Sequence, residues 1–279
     1  MTVATLSQVL EPALQGGYAV PGLVCLGWED MRAYVAAAEA ERAPVILQAG
    51  PGCRAHTPLP ILGRMLRHLA ESASVPVVVH LDHGTALEEC QQALEVGFTS
   101  VMYDGSRLTL AENIDRTAAV AELAHAAGAS CEGEIGFVGY AGGEASAGTD
   151  PEEAARFAKE TGVDAMAVSV GNVHLQQTPG SGLDRDRLAA IAALTRVALV
   201  LHGGSGIPPK DRAGIAAGFR VAKMNIGTEL RMAFGAALRA AVLADPAGFD
   251  RIAILHATEA PVTLAARAVI RGLGASGRA

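Results

Sequence analysis

Runs of apolar residues recur along the chain, and each is followed by a segment with helix-like character. The runs cover residues 18–25, 44–49, 75–81, 100–104, 130–136, 164–171, 198–202 and 221–226. They are nearly continuous rather than alternating, which is typical of parallel strands in a sheet covered on both faces. Eight strand–helix units in about 250 residues match the size of a closed barrel. We therefore predict an α/β fold, a (β/α)8 TIM barrel, with a doubly wound open sheet as the second interpretation.

Local signals mark the beginnings of several predicted helices. Asp150-Pro151 with Glu153 has the pattern of a helix N-terminus, and Thr85 with Glu88 has the spacing of a capping box. After the last apolar run, two helical stretches cover about 229–244 and 249–270, so we expect one extra C-terminal helix. No linker rich in proline and serine divides the chain. We predict a single barrel domain over residues 1–279.

Composition narrows the kinds of partner that the protein can have. The 279 residues carry a formal net charge of -7 without a basic run, which argues against nucleic acid or an anionic membrane surface. The N-terminus lacks a basic segment followed by a long apolar core, and no apolar run reaches the roughly 18 residues of a membrane span. We expect a cytoplasmic protein that binds a small molecule. The 4 cysteines have no C-x-x-C spacing and are expected to be buried thiols.

Three histidines stand at the carboxyl ends of three different apolar runs: His83, His174 and His202. In a parallel barrel these ends meet at one rim, where the fold usually carries its active site. Three histidines that leave one position open are the ligand set of a catalytic rather than a structural zinc. The alternative is three histidines buried separately in the core. Asp82, next to the first of them, supplies an adjacent acid or base.

Asp82 and His83 are neighbours, and neighbours on a regular strand point to opposite faces. Both can serve one site only where the strand gives way to its loop, and Gly84 permits such a break. His80 lies three residues before His83. It could hold a metal ligand through a hydrogen bond, or it could be an ordinary core histidine with its own partner.

Glycines follow the third of these histidines at positions 203, 204 and 206, with Ser205 between them. Small residues let backbone N–H groups approach an anion closely, and barrels often bind phosphate after their seventh and eighth strands. Asn225 and Thr228 close the next run and extend the same predicted phosphate site. The alternative is a tight turn that merely requires glycine.

A glycine-rich stretch over residues 136–149 has no hydrophobic periodicity and follows the fifth predicted strand. Loops at that end of a barrel carry function, so we interpret the stretch as a mobile lid over the site. An ordinary long surface loop is the alternative.

Motifs along nearly the whole chain resemble the class II, metal-dependent ketose-bisphosphate aldolases, in particular the fructose-bisphosphate and tagatose-bisphosphate branch. The resemblance rests on GGYAVP (16–21), PVILQ (44–48), HLDHG (80–84), SVMYDGS (100–106), EGEIG (132–136), GNVH (171–174), LHGGSG (201–206), KMNIGTELR (223–231) and the closing GASGRA. It implies a lyase that cleaves or forms a carbon–carbon bond in a phosphorylated ketose through a zinc-stabilised enediolate, with dihydroxyacetone phosphate as one half.

The resemblance also implies roles for individual residues. The three histidines would bind zinc, or cobalt or iron in its place, with Glu134 near an alternative metal position. Asp82 would be the acid/base, and Glu144 the second proton carrier on the loop after the fifth strand. The residues implied to hold the phosphorylated half, usually beside a monovalent cation, are Gly203, Ser205, Asn225 and Thr228. A homodimer or homotetramer is expected.

The chain departs from the family pattern where the sugar would bind. Val24 stands in place of an asparagine, Gly50 in place of a serine or threonine, and Leu175 in place of a glycine. Lost polar groups around a fixed metal should change the accepted sugar. The alternatives are therefore an aldolase for a modified or singly phosphorylated ketose, a zinc hydrolase, and a non-catalytic sugar-phosphate-binding barrel. Retention of Asp82 speaks against mere binding.

Overall fold

Eight parallel strands close on themselves in a computed structural model that describes residues 2–180 and 182–279. The barrel strands are β2 (Val20–Val24), β3 (Val45–Ala49), β4 (Val77–Gly84), β5 (Ser100–Tyr103), β6 (Ser130–Ile135), β7 (Ala165–Val168), β8 (Ala198–Leu201) and β9 (Val221–Ile226). Each pairs in parallel with its sequence neighbours, and β2 pairs with β9, where Gly22 lies opposite Asn225. That pairing closes the sheet and excludes the doubly wound alternative.

A two-residue strand, β1 (Val3–Ala4), precedes the barrel and pairs with the beginning of β4. The sequence pattern predicted eight strands and missed this ninth one, because two residues are too few to show a period. Thr99 ties β1 to the barrel by donating its hydroxyl to the carbonyl of Ala4 at 2.7 Å. The N-terminal segment is thereby fixed at the end of the barrel opposite the histidines.

Helices alternate with the strands and cover the outer face of the sheet. They are α1 (Leu6–Gly16), α2 (Trp28–Glu41), α3 (Pro51–His56), α4 (Leu59–Ser72), α5 (Leu87–Glu95), α6 (Leu110–Ala126), α7 (Pro151–Thr161), α8 (Arg185–Leu194), α9 (Pro209–Phe219), α10 (Thr228–Ala244) and α11 (Arg251–Gly272). The last two confirm the predicted pair of C-terminal helices, and α11 packs against α2 and α10. By length and composition alone, α11 is also the one helix among the described residues that could cross a membrane.

The helix signals in the sequence had different outcomes. The Asp150 carboxylate accepts the backbone N–H groups of Glu152 and Glu153, which begins α7 as predicted. The capping box at Thr85 was wrong, because α5 begins one residue later, after Ala86, without a side-chain cap. The backbone N–H of Thr85 instead donates to a carboxylate further along α5.

The strands are buried on both faces, which explains their nearly continuous apolar sequence. All residues of β3, β5, β6 and β9 are buried, and the 4 cysteines are free thiols within this core. Full burial of one such aliphatic side chain contributes about 1.5–3 kcal/mol, so the barrel is held mainly by the hydrophobic effect. Lys223 and Glu132 are exceptions, because both are fully buried charged residues.

Candidate active site

His83, His174 and His202 meet at the carboxyl end of the barrel. Their ring centroids lie 4.7 Å apart for the pair His83–His202, 5.4 Å for His83–His174 and 5.6 Å for His174–His202. One ligand atom from each ring lies within 4.8 Å of the others. The structure thus brings the predicted trio together, which excludes three separately buried histidines.

A break near the end of β4 allows Asp82 and His83 to face the same cavity. The pairing of β4 with β5 shifts register between Leu81 and Gly84, and His83 has a left-handed backbone with φ 53°. Arg54 supports the break by donating to the carbonyls of Asp82 at 2.6 Å and His83 at 3.0 Å. A left-handed conformation is costly for a residue other than glycine, so it persists only where such contacts enforce it.

The glycine-rich stretch forms a hairpin-like turn instead of an irregular loop. Phe137 and Ala147 exchange two backbone hydrogen bonds of 2.9 and 2.8 Å. At its tip, the backbone joins the segment after β7, because His174 donates to the carbonyl of Gly139 and accepts the N–H of Ala141. The ring of Tyr140 stacks on His174 with centroids 4.9 Å apart. The predicted lid therefore holds one of the three histidines in place, and its movement stays a prediction.

Hydrogen bonds select which ring nitrogens are available. His83 donates from Nδ1 to Asp104 at 2.7 Å, and His202 donates from Nε2 to Glu132 at 3.1 Å. The Nδ1 atom of His202 is buried and has no hydrogen-bond partner among the described residues. Leaving a buried polar atom without a partner costs free energy, so this nitrogen is suited to bind a metal ion. The donor set of three imidazoles also suits zinc.

The electrostatics of the three histidines differ. Burial and the neighbouring His83 lower the pKa of His174 to about 4, and burial lowers the pKa of His202 well below its ordinary value. Burial also acts to lower the pKa of His83, but Asp82 and the hydrogen bond to Asp104 outweigh it and raise this pKa to about 10. In the metal-free protein His83 is therefore the one of the three that holds a second proton.

Glu134 lies beside two of the histidines. Its Oε2 atom is 3.3 Å from Nδ1 of His202 and 3.7 Å from Nδ1 of His83, and it has no hydrogen-bond partner in the described part of the chain. Burial raises the pKa of this carboxyl to about 8. Glu134 also forms a second group of potential metal ligands with His83 and Asp104.

Asp82 is 5% exposed and lines a cavity of about 250 Å³ together with His83 and His174. Asn225 donates to its Oδ1 at 3.3 Å. Burial would raise the pKa of Asp82, but His83 and His202 hold it below its ordinary value. The carboxylate is therefore ionised at neutral pH, as a general base must be.

One wall of the same cavity is formed by the residues that the sequence assigned to phosphate: Gly203, Ser205, Asn225 and Thr228. Gly203 has φ 63°, and a side chain there would collide with the carbonyl of Val173. The tight turn of the alternative reading is thus present, and it also faces the cavity. Thr228 is the first residue of α10, so the positive end of a helix dipole adjoins this wall.

Several other residues that line the cavity are apolar. They include Val24, Leu26, Pro51 and Leu175, and Gly50 contributes no side chain. Leu175 has φ 58°, a conformation that glycine adopts without strain and leucine does not.

Glu144 lies at the tip of the hairpin-like turn and is not among the described residues that line the cavity. Arg107 pairs with both of its oxygens, at 3.1 and 2.6 Å, and lowers its pKa. Its proposed chemistry stays a prediction.

Three residues of the site were missed from the sequence. Arg231 lines the cavity one helical turn after Thr228 and forms no ion pair within the described residues. Gln48 is fully buried near Asn225, with neither amide atom hydrogen-bonded to a described residue. Tyr140 stacks on His174. For Arg231 a signal existed, because the i, i+3 spacing from Thr228 places both on one helix face.

Comparisons with known proteins give a consistent picture. A family model described as "Fructose-bisphosphate aldolase class-II" matches residues 4–278. The chain is 36% identical to a fructose-bisphosphate aldolase of Geobacillus stearothermophilus, covering 100% of this chain and 99% of that protein. It is also 36% identical to a 6-phospho-5-dehydro-2-deoxy-D-gluconate aldolase of Shouchella clausii, over 100% of this chain and 97% of the relative. The crystal structure of the YdjI aldolase from Escherichia coli K12 superposes with a TM-score of 0.87 at 30% identity, covering 99% of both chains.

Proposed function

The chain belongs to the class II fructose-bisphosphate aldolase family and is an aldolase, a carbon–carbon lyase; from this premise we propose that it cleaves or forms a phosphorylated ketose with dihydroxyacetone phosphate as one half. The observation that carries the proposal is the convergence of three histidines at one end of the barrel, where two of them line a cavity together with an ionised Asp82.

Class II aldolases depend on a divalent metal, and the residues present fit one. His83, His174 and His202 would hold it, with Glu134 as an alternative ligand in the second group of potential ligands. We propose zinc, with cobalt or iron able to replace it, because three imidazoles with an open position suit these ions. When bound, the metal acts as a Lewis acid that stabilises negative charge on the ketone oxygen.

The chain's own residues then move protons. In cleavage, Asp82 takes the proton from the hydroxyl group on the carbon just beyond the scissile bond. In synthesis it returns that proton. A positioned general acid/base of this kind accelerates a reaction by about 100 to 10,000-fold. The ionised state of Asp82 and its place on the cavity wall support the role.

A second group must carry a proton to and from the dihydroxyacetone phosphate carbon that loses its bond. We assign this to Glu144, which is the only carboxylate between residues 136 and 149. In the structure it is turned outward to Arg107, so the proposal requires the hairpin-like turn to bring Glu144 inward when substrate binds.

The phosphate of the dihydroxyacetone phosphate half would lie against Gly203, Ser205, Asn225 and Thr228, beside a monovalent cation. Support comes from the glycine turn and from the first turn of α10, which both face the cavity. Arg231 adds a guanidinium to this cavity that forms no ion pair in the described part of the chain, and it would attract an anionic substrate.

The distal half of the sugar is where this chain differs, and we propose a modified or singly phosphorylated ketose as its best substrate. The apolar side chains of Val24 and Leu175 in the cavity lining, together with the bare Gly50, offer few hydrogen bonds to a second phosphate. Relatives named for a bisphosphate substrate and for a singly phosphorylated one are equally similar, at 36% identity. Sequence identity therefore does not distinguish between the two substrates, and the proposal rests on the residues that line the cavity.

We further propose a cytoplasmic homodimer or homotetramer that acts as one domain over residues 1–279. The apolar side chains exposed on α10, α11 and their connection support self-association: Met232, Val242, Leu243, Phe249, Ile252 and Leu264. Light scattering on the purified protein tests this, and a monomer at micromolar concentration would contradict it.

A substrate screen tests the function. Purified protein loaded with zinc is incubated with ketose monophosphates and bisphosphates, and released dihydroxyacetone phosphate is measured by a coupled reduction. We expect release from at least one ketose monophosphate and slow turnover of fructose 1,6-bisphosphate. Turnover of fructose 1,6-bisphosphate at about 10,000 per molar per second or above, as for a well-matched enzyme, would show that the changed wall is neutral.

A further inference from the structure

Beneath the histidines, the barrel interior contains an ion pair that touches no solvent. Lys223 on β9 and Glu132 on β6 are 0% exposed, and their charged atoms lie 2.5 Å apart. Lys223 also donates to Nε2 of His80 at 3.3 Å, and Nδ1 of His80 pairs with the hydroxyl of Ser100 at 2.8 Å. The group thus links β4, β5, β6 and β9 across the barrel.

Such a pair is a poor way to stabilise a fold. Removing two charges from water is expensive, and apolar residues of similar volume in the same place are often as stable or more so. Most other side chains of the barrel core are apolar. Glu132 has one further contact, because its second oxygen accepts the Nε2–H of His202. This contact indicates a different role for the pair.

We propose that Glu132 and Lys223 are positioning residues for His202. Glu132 fixes the His202 ring with its Nε2–H turned downward, so that Nδ1, the unpartnered atom, faces the metal position. Lys223 donates to the other oxygen of Glu132 and holds that carboxylate in one rotamer. The inference rests on the metal site of the proposed function and names what orients one of its three ligands.

The hydrogen bonds around Lys223 form one chain of contacts that ends at His202. Burial lowers the pKa of His80 well below its ordinary value, so its ring is neutral. A neutral ring that accepts at Nε2 must donate at Nδ1, and Ser100 is the acceptor there. His80 therefore anchors Lys223, the lysine anchors Glu132, and Glu132 anchors His202.

A double variant separates positioning from plain stability. Glu132→Leu and Lys223→Met each leave one buried charge alone and should destabilise the protein. Glu132→Leu with Lys223→Met replaces the pair by apolar groups, so the metal-free double variant should be thermally more stable than either single variant. Its affinity for zinc, measured by chelator competition, should nonetheless stay about 10 to 100-fold lower, as for other lost partners of metal-binding histidines.

Two further variants complete the test. Glu132→Gln with Lys223→Met keeps an acceptor for His202 and should recover part of the lost affinity. The visible absorption of the cobalt-loaded Leu/Met double variant should differ from that of the parent, because one imidazole is no longer held. Glu41→Leu is the matched control, since Glu41 is a buried carboxylate that pairs with Arg267 and Arg271 far from the cavity. It should lower stability without changing zinc affinity.

The outcomes are distinct. Parental zinc affinity and an unchanged cobalt spectrum in the stable Leu/Met double variant would overturn the positioning role and leave the proposed function intact. If the parent itself binds neither zinc nor cobalt, the metal site of the proposed function fails, and the inference falls with it.

Discussion

The floor of the cavity and its rim are held in different ways. We define the floor as Glu132, Glu134, His202 and Lys223, which are at most 1% exposed and stand at or on barrel strands. The rim comprises Arg107, Tyr140, Glu144 and Leu175. Tyr140 and Leu175 are each 46% exposed. The Glu144 side chain is hydrogen-bonded to the exposed Arg107. Strands that are hydrogen-bonded on both sides fix the floor, whereas turns carry the rim.

This difference suggests a division of labour. Chemistry that a whole family shares needs ligand positions accurate to a fraction of an ångström, and the strand ends provide them. Substrate choice depends on side chains that vary between relatives, and loops tolerate such changes. Substitutions in the floor should therefore weaken metal binding or chemistry most, and substitutions in the rim should alter rates and stability by smaller factors.

The largest effect is expected from His202→Ala. It removes one of three metal ligands, and loss of Lewis-acid stabilisation worth several kcal/mol lowers the rate by at least about 1,000-fold. Metal content, measured by mass spectrometry after gel filtration, should fall in parallel. Full metal occupancy in this variant would show that His202 is not a metal ligand and would contradict the role given to the floor.

Asp82→Ala should lower cleavage by about 100 to 10,000-fold while metal content stays at the parental level. The side chain carries a proton and does not hold the ion, so binding and chemistry separate. Steady-state kinetics and metal analysis on the same sample test both halves. Cleavage at close to the normal rate would refute the acid/base assignment.

Glu144→Gln tests whether the rim takes part in chemistry at all. If the turn moves inward, kcat should drop by about 100-fold with KM and metal content little changed. Arg107→Met is the matched control, because it releases Glu144 without removing the carboxylate and should retain most of the activity. A change in kcat of less than about threefold in Glu144→Gln would show that Glu144 carries no proton in the reaction.

The elevated pKa of His83 predicts how the metal-free protein responds to pH. Its folded pKa of about 10 lies above the unfolded value of about 6.5, so the stabilisation is complete below pH 6.5 and disappears as pH rises through 10. A shift of this size corresponds to roughly 4–5 kcal/mol, so we expect the metal-free protein to lose stability of that order between these values, measured by urea unfolding. His83→Gln should reduce the slope of that profile. A parent profile that is already flat would mean that His83 is neutral in the folded state.

Leu175→Gly should produce the smallest change. Leucine at φ 58° carries strain that glycine avoids, but glycine loses more backbone entropy on folding, so we expect a net stabilisation of about 0.5–1 kcal/mol. Leu175→Ala keeps the strained conformation and should show no gain. Equal stability of the two variants would show that the rim is not strained there.

The sequence was informative about the histidines and Asp82 because their signals are local. Apolar runs marked the strands, their last residues marked the site, and Gly84 indicated the break that turns Asp82 and His83 to one side. The pairing of Lys223 with Glu132 has no such signal, since it joins residues 91 positions apart across a barrel. Contacts of this kind depend on the closed sheet and cannot be derived from periodicity.

At the rim the sequence was less informative, because the contacts there depend on the geometry of turns. A glycine-rich composition indicated a loop but not the two backbone hydrogen bonds that fold it into a hairpin-like turn, nor the stacking of Tyr140 on His174. Turn geometry depends on a few backbone angles that small residues leave open. The failed capping box at Thr85 shows the same limit, because a one-residue shift in a helix start is enough to defeat the motif.

Hydrogen exchange at dihydroxyacetone phosphate tests the central claim most directly, because it needs no knowledge of the other half of the sugar. The protein is loaded with zinc and incubated with dihydroxyacetone phosphate in heavy water, and loss of one proton at the hydroxymethyl carbon is followed by NMR. The account predicts exchange in the parent and in Asp82→Ala, and none after chelation or in His202→Ala. Absence of exchange in a parent that has bound both zinc and dihydroxyacetone phosphate would contradict it.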